Sequence, residues 1–176
     1  MAAAGVRLRN SLADQAVATR SRERSHTPAL LAERRGVNRG DFQELAELHL
    51  QHGEALLDAK LYSGAYYMCG YAVECALKAC ICKNTAQFDF YPHPRKVVEN
   101  AWSHDFTKLV GVAGLQDQFR LARNTDAVLH VNWNEIDGWS EDSRHESKKG
   151  SQAAENLITA VSDPDHGVLA CIKRYW

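Results

Sequence analysis

The sequence predicts an all-α fold: an antiparallel bundle of four to five helices preceded by a basic N-terminal extension. Three observations carry that prediction. No window alternates apolar and polar residues with the period of a strand. Residues 63–84, SGAYYMCGYAVECALKACICKN, read as a long helix that is apolar on nearly every side. Such a helix must be covered on nearly every side and therefore forms the centre of a bundle. Other segments, among them residues 42–59 and 151–161, carry the one-sided apolar stripe expected of covering helices. Neither an internal repeat nor a Gly-rich phosphate loop interrupts the pattern.

Taken in order, the elements follow from local chemistry. Residues 1–40 hold eight Arg and no Lys against Asp14, Glu23 and Glu33, a net charge of +5, while the remaining 136 residues carry −6. A basic arm thus precedes a mildly acidic body, and its high charge and few large apolar residues predict a segment dispensable for folding. The domain is expected over residues 41–176. Residues 1–20 lack the apolar core of a secretory signal. Their Arg- and Ala-rich start also resembles an organelle transit peptide, but a disordered or partly helical extension is the preferred reading. Asp41 is predicted to cap the first helix, with Glu44 completing a capping box. The stripe Phe42, Leu45, Leu48/His49, Ala55/Leu56 and Ala59 then ends near Lys60. LYSG turns the chain into the central helix, where Ala65, Cys69, Ala72, Ala76, Ala79 and Cys80 permit close helix approach. Residues 85–103 hold two Pro and predict a loop with one short helix near 95–100. Ser103 is expected to cap the next short helix. Residues 115–139 predict a long helix with an interruption at 124–126. EDSRHESKKGS is a polar connection, residues 151–161 are amphipathic, DPDHG breaks that helix, and residues 168–175 close the chain before Trp176.

Charge inside the central helix is the first candidate for chemistry. Glu74 and Lys78 stand in the favourable i, i+4 order, where burial is costly unless they pair. Two charges near its middle argue against a membrane span. Of the five cysteines, Cys69, Cys75, Cys80 and Cys82 lie in this one helix. Cysteines on one helix cannot staple distant segments, so they read as reduced thiols of a cytoplasmic protein. Zinc is disfavoured because no CxxC pair or partnered His spacing accompanies them. His49 and His52 predict a solvated face. Trp133, Trp139 and Trp176 predict core or dimer contacts, with base stacking as the lesser reading.

Arg123, followed by Asn124, and His130 form the second candidate. Seven steps along an unbroken helix rotate by about 700°, which puts both side chains on one face roughly 10 Å apart. Two copies packed across a twofold would bring each Arg to the partner's His. Arg binds phosphate through a bidentate fork and His moves protons near neutral pH. A spacing of the same class, one residue shorter, recurs at Arg20 and His26, so spacing alone also fits a surface Arg and an unrelated His.

The run LLDAKLYSGAYYMCGYAVECALKACICKNT resembles the opening helix pair of prokaryotic HEPN domains, with its GYxVExALKA pattern. SHDFTKLVGVAGL, NWNEIDGWSEDSRHE and GVLACIKRYW are similar to later family segments, so the resemblance spans residues 42–176 in order. It implies a dimerising bundle. It also implies metal-independent RNA cleavage through Arg123, Asn124 and His130, without a cofactor. The biological setting implied is a toxin–antitoxin pair, often with a nucleotidyltransferase-type antitoxin, or phage defence. The alternative it implies is a non-catalytic module that binds a nucleotide or partner protein, with Glu74, Lys78, His104, Lys108 and Arg144 as its lining.

Overall fold

A computed structural model describes residues 37–86 and 95–176. The expectations for residues 1–36, and for the loop around its two prolines at 92 and 94, lie outside the described residues. Eight α-helices and one 3₁₀ turn run through the described chain, with no strand among those residues. They are α1 (Arg39–Asp58), α2 (Tyr62–Ala86), α3 (Arg95–Ala101), α4 (Phe106–Val112), α5 (Gln116–Thr125), α6 (Ala127–Ile136), the 3₁₀ turn (Glu141–His145), α7 (Ser151–Ser162) and α8 (Val168–Lys173).

Helix α1 begins three residues earlier than the sequence predicts. Asn38 is its cap, accepting from the Asp41 amide, while the Asp41 carboxylate accepts from the Asn38 amide. Asp41 therefore fills the acidic position of the capping box and not the cap, and Glu44 has no part in it. Asn caps as well as Asp, and an acid at the third position suits the positive helix end. The turn into α2 closes with the Leu61 amide donating to the Leu56 carbonyl at 2.8 Å. Lys60 takes the left-handed conformation (φ 60°) that usually falls to glycine after a helix.

α2 is the axis of the bundle. Thirteen of its residues are buried, from Ala65 to Ile81, including Glu74. α1 lies along it and α4, α7, α8 and the 3₁₀ turn cover its other sides. Ala46 and Gly53 bring α1 close: a Cβ at Gly53 would stand 3.3 Å from the Ala65 carbonyl. The core is completed by Leu77, Leu109, Ile136, Leu157 and Ile172, all fully buried.

The cap of α4 and the setting of His49 also depart from expectation. Asp105, not Ser103, caps α4 by accepting from the Lys108 amide at 3.0 Å, and Ser103 instead accepts from the Asp105 amide. The carboxylate reaches the free amides better than the shorter hydroxyl two residues back. Trp133 and Trp139 are buried as expected, whereas His49 is not on a solvated face. It is half-buried and packs edge-on against Tyr71 at 6.0 Å.

Gly70 makes room for Trp139. A side chain there would overlap the indole ring, which also stacks on Phe106 at 5.2 Å. Gly70→Ala should therefore destabilise the fold despite alanine's better helix propensity. The expected cost is roughly 1–3 kcal/mol from overpacking, read as a fall in melting temperature of about 2–4 °C per kcal/mol. An unchanged midpoint would show that the indole can shift without loss.

Candidate functional site

The helix expected over residues 115–139 breaks within the interruption expected at 124–126, at Asp126. Its backbone is extended (φ −127°, ψ 101°). The Asp126 amide still closes α5 on the Ala122 carbonyl, and its own carbonyl accepts from the His130 amide at 3.0 Å. One carboxylate oxygen caps α6 through the Leu129 amide at 2.9 Å, and the other accepts from His166 Nδ1 at 2.8 Å.

The break changes the geometry that an unbroken helix implies. Arg123, Asn124 and His130 of one chain now line the same cavity of about 350 Å³, with Gln116, Arg120 and Thr107 around them. Phe119 and Trp133, packed edge-to-face at 4.9 Å, line its apolar part. The Arg123 guanidinium sits 5.6 Å from the Trp133 ring centre and donates through Nη2 to Asn134 Oδ1 at 3.2 Å. Its Nε is buried without a hydrogen-bond partner. Arg120 pairs with Asp117 at the surface. No carboxylate occurs among the lining residues, so the cavity is cationic.

The second cluster is built around Glu74, which is 3% exposed. Lys78 Nζ reaches one carboxylate oxygen and His104 Nδ1 the other, each at 2.7 Å. His104 then lines a cavity of about 610 Å³ together with Lys108, Asp105, Asp137, Trp139 and Glu141. The five residues expected to share one lining are therefore divided. Glu74 and Lys78 are packed behind His104, Lys108 pairs with Asp105 at 3.4 Å, and Arg144 donates to His145 Nε2 at 3.0 Å. Among the described residues no group of three His, Cys, Asp or Glu side chains is placed to hold a metal ion. All five thiols are free, and burial pushes Cys75 and Cys80 up to about 11.

A family described as HEPN domain matches residues 41–163. The chain belongs to the HEPN family. Comparisons with curated proteins and with solved structures give no match.

Two features of this HEPN domain escape sequence reasoning. Tyr71 is an aromatic hub, edge-on to Tyr67 at 4.9 Å and to Trp139 at 5.4 Å, and burial followed by its contact with Tyr67 pushes its hydroxyl well above the ordinary range. Nothing in the pattern distinguishes it from its tyrosine neighbours. The Asp126–His166 pair is the other. DPDHG signals a break, and Asp before an apolar run signals a cap, but their meeting across 40 residues is a tertiary fact.

Both clusters of the HEPN domain yield tests. Lys78→Ala would leave Glu74 buried with His104 as its one partner. The expected loss is on the order of 3 kcal/mol, the low end for an orphaned buried charge, and Glu74→Gln in the same chain should recover much of it. A double-mutant cycle by urea unfolding measures the coupling, and additive effects would show that the pair is not formed in solution.

His166 is raised above the ordinary histidine range by its bond to Asp126, with Asp163 and Asp165 adding to the effect. Asp126 is lowered, first by that bond and then by the Leu129 amide. The raised His contributes stability at low pH that is lost as pH rises past its folded value. The lowered Asp contributes stability that is lost as pH falls past its own. The pair is therefore fully formed between those two values. NMR titration should find His166 above the usual range and Asp126→Asn should bring it down; a His166 that titrates normally in both would contradict the pair.

Proposed function

We propose that this HEPN domain is a ribonuclease that acts as a homodimer, with Arg123, Asn124 and His130 as its catalytic set. The observation that carries the reading is the cationic cavity at the α5–α6 break, where the buried Arg123 Nε has no partner and His130 stands at the rim. A phosphodiester oxygen is the natural acceptor for such a donor. The 2′-hydroxyl of RNA is an internal nucleophile. It attacks phosphorus as its proton is taken up, the bond to the 5′-oxygen breaks, and that oxygen leaves with a proton. His130 supplies proton transfer, Arg123 stabilises the charge on the phosphorane oxygens, and Asn124 positions the phosphate.

Exposed Leu121, Val128 and Val131 on α5 and α6 support dimerisation on this side. They are exposed apolar residues on the two helices that line the cavity, and a twofold that pairs these helices would bring two Arg/His sets into one interface. A toxin–antitoxin or phage-defence role, with a nucleotidyltransferase-type antitoxin, follows from the family resemblance. A cytoplasmic location accords with five free thiols. Among the described residues no helix is long and apolar enough to cross a membrane.

The second reading, a non-catalytic binding module, draws on the His104 cavity. Asp105, Asp137 and Glu141 outnumber Lys108 there, which favours a partner protein over the phosphates of a nucleotide.

Purified protein incubated with single-stranded and structured RNA in EDTA decides between them. Cleavage should leave a 2′,3′-cyclic phosphate. His130→Ala should lose a factor on the order of 10² to 10⁴ from lost acid–base catalysis, and Arg123→Ala should lose phosphate binding as well as rate. Intact RNA at a large excess of wild-type protein would end the catalytic reading. Cleavage that survives in both variants would move the site elsewhere.

A further inference from the structure

We infer that His166 is a positioning residue for the α5–α6 cavity: the loop over residues 163–167 clips the break at Asp126 and fixes where Arg123 and His130 stand relative to one another. The inference rests on the ribonuclease reading of that cavity, but it concerns residues that do not line it. His166 also lies beyond the residues that the family match covers.

His166 grips α6 at two points. Its imidazole donates through Nδ1 to Asp126 at the start of the helix, and its backbone carbonyl accepts from Asn132 Nδ2 at 2.9 Å, six residues further on. One residue thus holds α6 by a side chain and by the main chain. The other half of the clip is the loop itself. Asp163 Oδ1 accepts from the amides of Asp165 and His166 at 2.9 and 2.8 Å, and the Gly167 amide closes on the Asp163 carbonyl at 2.9 Å. A Cβ at Gly167 would overlap that carbonyl, so only glycine permits the closure. The loop is therefore shaped before it meets α6, and little ordering remains to be done on contact.

What the clip holds is the hinge of the cavity. Asp126 stands three residues after Arg123 and four before His130, and makes the hydrogen bonds that end α5 and begin α6. With Asp126 Oδ2 unheld, its remaining bonds restrain each helix separately, and the angle between the helices loses one of its fixed points. Arg123 belongs to α5 and His130 to α6, so a change of that angle moves the phosphate donor against the proton-transfer group. A catalytic pair tolerates little of this: a misplacement of about 1 Å from a distant change costs about 10²-fold in rate.

The test uses the full chain and three variants: His166→Ala, His166→Asn, whose amide can donate in place of Nδ1, and Asn132→Ala, which releases the second grip alone. His166→Ala should lower kcat/KM for RNA by about 10- to 100-fold with circular dichroism unchanged, and His166→Asn should recover most of the loss. Hydrogen exchange should quicken over residues 127–130 in His166→Ala and stay unchanged in α2. Wild-type cleavage rates in both His166→Ala and Asn132→Ala would overturn the positioning role, as would faster exchange without any loss of rate in an active enzyme. If His166→Ala does not fold, Asn132→Ala carries both measurements. If the wild-type protein cleaves no RNA, the ribonuclease reading falls separately. The clip is then judged by exchange alone, supported by a local increase over residues 127–130 and overturned by none.

Discussion

The fold depends on one constraint: α2 is apolar all round and has to be covered all round. Four of the other described helices are placed directly by that need. α1, with its buried Ala46 and Gly53, supplies one face, and α4, α7 and α8 supply the rest. The small side chains of α2 set how near these helices come, and the absence of a Cβ at Gly70 decides that an indole can lie against the backbone. A charged residue at the centre of such a helix is tolerable only when both carboxylate oxygens are satisfied. Glu74 meets that condition with two partners at 2.7 Å, one from its own helix and one from the segment before α4. The ion pair therefore does more than neutralise a charge, because it ties His104, and with it the start of α4, to the axis of the bundle.

The second constraint acts on the covering layer. A continuous helix through residues 116–136 would be straight, whereas the break at Asp126 divides it into two ten-residue helices. The polar cost of the break is small because Asp126 satisfies both helix ends itself, through its amide, its carbonyl and its carboxylate. The geometric consequence is large. Side chains that an unbroken helix would spread along one line now border one concavity.

How much of this is legible in sequence depends on whether the signal is local. The central helix, the two-turn stripes of its neighbours and the Glu74–Lys78 pair follow from spacing within one segment. The interruption near residues 124–126 is visible too, since Asn-Thr-Asp competes with helix by side-chain bonds to the backbone. What spacing cannot supply is the partner of each signal. Ser103 and Asp105 both suit a cap, and only the path of the chain decides for Asp105. His49 reads as a surface residue until Tyr71 is set against it. The expected lining of Glu74, Lys78, His104, Lys108 and Arg144 gathers residues by charge, but helix rotation puts two of them behind the third and turns the others to local partners. His166 is hidden for the same reason, because its partner lies 40 residues away.

α4 stands between two cavities of opposite character, and Thr107 borders both. On one side the charged lining is Arg120 and Arg123 with no carboxylate; on the other it is Asp105, Asp137 and Glu141 against Lys108. A polyanion approaching this surface is drawn to the first and repelled by the second over a range of about one Debye length, near 8 Å at physiological ionic strength. The arrangement makes the cavities non-equivalent for any phosphate-bearing ligand before a single hydrogen bond forms. It also gives the short helix α4 a structural reason to be held firmly. Its cap at Asp105 and its tie to Glu74 through His104 fix the dividing wall to the axis of the bundle.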